Sequence, residues 1–232
     1  MEFIILLIIF IITFIILKYL FDVNVKKIKQ IGENQELDNL TQKYPNNIEI
    51  CKWYLKKVKN ENVKIEENKN SNLILYLINS NKILLGNFNN SYTRIQTIAH
   101  ECLHTVQSKK ILWFNFIFSN LYLVYFAVIC ILAIFKLISN EMLFLSIQIL
   151  LGFIYYAVRT YLENDAMIKA RFLAKEYMQE IGISSSDEIN KIIKKYDELD
   201  NAGIKLTNFQ LFNKTLIKDI LLDLIFIATN LI

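Results

Sequence analysis

Residues 98–107 read Ile98-Ala99-His100-Glu101-Cys102-Leu103-His104-Thr105-Val106-Gln107. On an α-helix, residues four apart share a face, so both imidazoles can reach one metal ion, with the Glu101 carboxylate beside its bound water. The flanking pattern fits a helix. Ile95, Ile98, Ala99, Cys102, Leu103 and Val106 form an apolar stripe, and Thr93, Thr97, His100, His104 and Gln107 lie opposite. The two His are therefore expected to face a cleft or solvent, away from the packing surface. The chain has 2 His in all, and both fall in this HExxH, which makes coincidence a poor explanation.

Outward from the motif, the sequence alternates between apolar blocks and Lys- and Asn-rich segments. Hydrophobic residues make up 54% of the 232 and mean hydropathy is +0.31. Residues 111–135 carry no charge, and neither do residues 142–158; the short segment between them, Lys136-Leu-Ile-Ser-Asn-Glu141, predicts a transmembrane helical hairpin with both ends on one side. Residues 3–17 form another apolar run, without a basic leader or a small-x-small cleavage pattern, and read as a retained anchor. Lys18, Lys26, Lys27, Lys109, Lys110 and Arg159 flank these blocks, which places the flanks in the cytoplasm by the positive-inside rule and the amino terminus outside.

These features divide the chain. Residues 1–21 are the anchor, 22–110 the first part of a polar domain carrying the HExxH helix, and 111–160 the membrane hairpin. Residues 161–210 are the second part of the polar domain and 211–232 a C-terminal membrane-associated helix. That last block is interrupted by Lys214, Lys218, Asp219 and Asp223, so its depth stays open between a short span, a re-entrant helix and a surface helix. In the first polar part, residues 33–43 and 47–59 look helical, and 72–78 and 82–85 flank Asn79-Ser80-Asn81 as a β-hairpin. The fold class is thus mainly α with a small β-hairpin or sheet.

Net charge is +4, with the Lys residues spread through the polar segments and no interleaved aromatic platform, a pattern that fits a lipid bilayer as partner and argues against nucleic acid. Cys51, Cys102 and Cys130 are odd in number and lack CxxC spacing, which argues against a disulfide framework.

A catalytic zinc takes three protein ligands and leaves the fourth position for water. With both His used, the third ligand must be a carboxylate or, failing that, a thiolate. Glu163 is the leading candidate, because it follows the hairpin as directly as the HExxH precedes it; Asp165 is the lesser one, with a supporting or helix-capping role as its alternative.

His100, Glu101, His104, Gln107, Glu163, Asp165 and Ala166 together resemble the pattern of bacterial membrane-anchored neutral zinc metallopeptidases: an N-terminal anchor, a short β-hairpin, HExGHxxQ, a transmembrane hairpin and Glu-x-Asp-Ala. The likeness covers roughly residues 72–175 plus the anchor, and Leu103 stands where that family usually has Gly. The layout is also similar to the HtpX and CAAX-prenyl-protease type, whose third-ligand segment is spaced differently. The resemblance implies an integral membrane, gluzincin-like metallopeptidase of the cell membrane with its catalytic domain in the cytoplasm. One Zn²⁺ would be held by His100, His104 and Glu163, with Glu101 as general base and a protein or peptide as substrate. A non-catalytic membrane scaffold and a zinc hydrolase of a non-peptide amide are the competing readings.

Overall fold

The computed structural model describes residues 2–68, 70–88 and 90–230. Met1 and residues 231–232, the extreme ends of the expected anchor and C-terminal helix, lie outside them. The elements run α1 (Glu2–Leu20), α2 (Val25–Gly32), α3 (Gln35–Gln42), α4 (Asn47–Lys57), β1 (Lys64–Asn68), β2 (Leu75–Leu77), a single 3-10 turn (Ile78–Ser80) and β3 (Lys82–Gly86). Four helices follow: α5 (Arg94–His104), α6 (Lys109–Ile134), α7 (Glu141–Ile181) and α8 (Ser186–Asn230). The chain is mainly helical with one small sheet. It divides into two compact units, one of Met1–Val23, Trp113–Tyr161 and Lys205–Ile232, the other of Asn24–Leu112 and Leu162–Ile204.

In the first unit, α6 and α7 are long and apolar enough to cross a membrane; a third candidate span arises only if α1 and the following α2 are taken as one broken helix. Residues 211–230 belong to the long α8, whose Leu222 and Phe226 are buried with Ile129 and Ala133 of α6. The C-terminal segment thus packs against the apolar helices through one face. Polar residues are buried here as well: Gln148 is fully enclosed and the Lys218 ammonium lies 4.2 Å from the centre of the Tyr122 ring.

The second unit is built on one core. Ile95, Ile98, Ala99 and Cys102, the expected apolar stripe of α5, are all buried with Ile50, Tyr54 and Leu55 of α4, Ile83 and Leu85 of β3, and Ala170, Ala174 and Tyr177 of α7. Full burial of an Ile or Leu side chain contributes about 1.5–3 kcal/mol, so this face fixes α5 against the core. Val106 departs from the stripe: it lies beyond the end of α5 and is 46% exposed.

The sheet has strand order β1-β3-β2. The hairpin expected at residues 72–85 is present as β2 antiparallel to β3, with Asn81 in the left-handed conformation that closes the turn. The sequence reading missed β1, which pairs in parallel with β3. β3 is therefore central and β2 forms an edge. At Gly86 an added Cβ would sit 2.5 Å from the carbonyl oxygens of Ser71 and Leu73, so the tight passage from β3 toward α5 requires glycine. The helix that carries Glu163 is the continuation of α7, and the second unit closes at Ile204.

Arg94, the first residue of α5, is 3% exposed and was not singled out in the sequence. Its guanidinium donates to the carbonyls of Thr41, Tyr44 and Pro45 and to Asn47 Oδ1 at 2.8–3.0 Å. It thereby satisfies backbone acceptors at the end of α3 and ties the α3–α4 turn to α5. A lysine has too few donors for this fork, so Arg94→Lys should lower unfolding free energy by about 1–3 kcal/mol. Denaturant unfolding checks this, and a change below about 1 kcal/mol would contradict it.

Candidate metal centre

α5 and α7 place the site. His100 and His104 stand one turn apart on α5, with their Nε2 atoms 3.0 Å apart and rings perpendicular. Glu163 of α7 brings one Oε2 to 3.4 Å from His100 Nε2 and 3.8 Å from His104 Nε2. The neighbouring residues Ala166, Ala170 and Ala174, at four-residue spacing on α7, are all buried. Glu101 Oε1 lies 3.9 Å from His100 Nε2, and single ligand atoms of His100, Glu101 and His104 fall within 4.8 Å of one another.

This donor set fits a metal ion. A tetrahedral zinc bonded at about 2.0–2.1 Å to each ligand requires donors about 3.3–3.4 Å apart, and the three separations among His100, His104 and Glu163 bracket that value. The His100–Glu101–His104 group could hold a metal ion. Burial alone would lower the pKa of His100, but its bond to Glu163, with Glu101 and Asp200 nearby, holds it above the ordinary imidazole value. The cluster is therefore poised for positive charge.

Gln107 orients the second imidazole. Its amide nitrogen donates to Leu162 O at 2.8 Å and Asp165 Oδ2 at 3.0 Å, which leaves its oxygen to accept from His104 Nδ1 at 2.8 Å. With the proton fixed on Nδ1, the Nε2 lone pair points at the site. Asp165 in turn meets Lys169 at 2.5 Å. Glu163 lies at the imidazole nitrogens, and Asp165 reaches His104 through Gln107. Arg171 pairs with Asp197 of α8.

The two His do not face open solvent. His104 is 8% and Glu101 9% exposed, and Glu101 lies with His100 at the wall of a cleft of about 290 Å³. Gln96, His100, Glu101, Met167, Leu199 and Asp200 contribute to that wall. Glu101 Oε2 accepts the backbone N–H of Tyr76 at 2.7 Å, so edge strand β2 borders the site through its outward N–H. The sequence reading did not find Tyr76, Gln96 or Asp200. None belongs to the motif, and long-range packing alone brings them to it.

Burial lifts the Asp200 carboxyl to about 6, against the opposing pull of the Gln96 amide, Arg171 and His100. Its folded pKa thus lies above the unfolded one, so its proton favours the folded state and stability is lost as pH rises through this range. After chelation, the melting temperature of the wild type should fall relative to Asp200→Asn between about pH 4 and about pH 7. Parallel curves would contradict this. Gln107→Ala should weaken divalent-metal affinity about 10–100-fold with all three donors intact, and competition with a chromophoric chelator measures it.

Comparison with protein-family models, with characterised proteins and with solved structures returns no match.

Proposed function

We propose that the chain is a zinc-dependent endopeptidase of the membrane, related to the neutral zinc metallopeptidases it resembles, with His100, His104 and Glu163 as metal ligands and Glu101 as general base. The observation that carries this reading is the convergence of two imidazole nitrogens and a Glu163 oxygen 3.0–3.8 Å apart, with a second carboxylate beside them. A structural zinc site has no use for that additional base.

When bound, zinc would polarise the scissile carbonyl and bring the pKa of a water near neutrality. Glu101 takes a proton from the attacking water as the new C–O bond forms, and returns it to the departing nitrogen as the C–N bond breaks. Gln107, anchored by Asp165 and Leu162 O, keeps the His104 proton on Nδ1 throughout. The Tyr76 N–H fixes Glu101 and belongs to edge strand β2, so that edge of the sheet borders the reacting groups.

Membrane location is supported by the two helices apolar enough to cross a bilayer. In the chain α6 begins five residues after His104, and α7 itself carries Glu163. The Lys and Arg residues at their flanks favour a cytoplasmic catalytic unit in a multi-pass protein. Membrane-associated proteins and peptides are then the natural substrates.

In detergent, Glu101→Gln should retain about one zinc per chain and lose about 10²–10⁴-fold of the cleavage rate on an unfolded membrane protein. Zinc binding without cleavage of any protein, together with turnover of a lipid amide, would instead favour the non-peptide hydrolase; wild type without zinc would overturn the reading.

A further inference from the structure

The cleft beside the metal centre contains a pair of residues that the hydrolytic chemistry does not use. Asp200 of α8 and Gln96 of α5 are 7% and 6% exposed and both line it. The Gln96 amide nitrogen donates to Asp200 Oδ1. The other two acceptors of the pair, Asp200 Oδ2 and Gln96 Oε1, are buried without a hydrogen-bond partner among the described residues. An acceptor shut off from water and left unpaired costs about 1–3 kcal/mol, more if charged, and here two of them stand on neighbouring side chains. Arg171 acts on Asp200 by charge at a distance, but it donates through Nη1 to Asp197 and makes no hydrogen bond to Asp200 Oδ2.

What would satisfy the pair is a group with several N–H donors and a positive charge. The remaining wall suits the apolar stem of such a group: Met167, Ala170 and Leu199 line the same cleft, and no Lys or Arg is among its lining residues. At about 290 Å³ the cleft is at the small end of ligand pockets, a size for one side chain and adjoining backbone.

We infer that the Gln96–Asp200 pair is the recognition point for a cationic group of the substrate, a Lys or Arg side chain or a free amino terminus, so that the cleft selects peptides bearing positive charge beside the scissile bond. This rests on the cleft being the substrate site of the proposed peptidase. Asp200 is a specificity-determining residue here and takes no part in proton transfer.

The test is calorimetric binding of three small probes to the full-length, zinc-loaded protein in detergent. They are Nα-acetyl-arginine amide, its neutral isostere Nα-acetyl-citrulline amide, and leucine amide, which carries only the free amino group. At least one cationic probe should bind about tenfold more tightly than the citrulline compound, and in Asp200→Asn that ratio should fall to about twofold or less. Asp200→Glu, which keeps the charge, should restore part of it. Preference for the arginine compound assigns the side chain, and preference for leucine amide assigns the amino terminus. Equal binding of all three by the wild type overturns the inference without any variant. So does a preference that survives in Asp200→Asn, or an Asp200→Asn protein that loses zinc while its probe ratio is unchanged. Because binding is read without turnover, failure of the peptidase reading is a separate result: charge-selective binding without cleavage of any protein would leave the recognition point standing.

Discussion

Lone pairs aimed at one point repel unless positive charge lies among them. His100 Nε2, His104 Nε2 and a Glu163 oxygen converge to 3.0–3.8 Å in a largely buried setting, and much of the second unit serves to impose that arrangement. The apolar face of α5 is buried in the core, so its polar face has no freedom to turn. Arg94 clamps the start of the same helix to the α3–α4 turn, while Gln107 fixes the imidazole at its end and links it to α7. Packing and hydrogen bonding elsewhere offset the cost of holding these donors together.

The parts legible in the sequence were those written in local periodicity or in a short motif. The HExxH spacing located the metal helix because helical geometry alone brings residues four apart together. The proximity of Glu163 to the imidazoles was legible for a different reason: two apolar helices joined by a short turn bring the chain back near its start, and only a few carboxylates lie at that exit. The β2–β3 hairpin was signalled by Asn79-Ser80-Asn81, and Asn81 does adopt the left-handed conformation.

What escaped the sequence depends on long-range packing. β1 carries three charged residues among its five and pairs in parallel, so neither alternation nor a tight turn announced it. Asp165 was legible only as a supporting or capping carboxylate, because nothing local reveals that Gln107 reaches across from the end of α5 to meet it. Arg94 resembled any surface cation until its four acceptors were assembled around it, and Asp200 lies 37 positions beyond Glu163 in a helix with no motif. Buried polar groups of this kind are defined by their partners, and partners distant in the chain leave no local signature.

The central claim is that a zinc ion is held by two imidazoles and one carboxylate. X-ray absorption at the zinc edge on the purified full-length protein addresses it most directly. The account predicts about one zinc per chain in a shell of nitrogen and oxygen, with the multiple-scattering signature of imidazole that diminishes in His104→Ala. A shell containing sulfur, which would implicate Cys102, or a protein that retains no zinc, would contradict it.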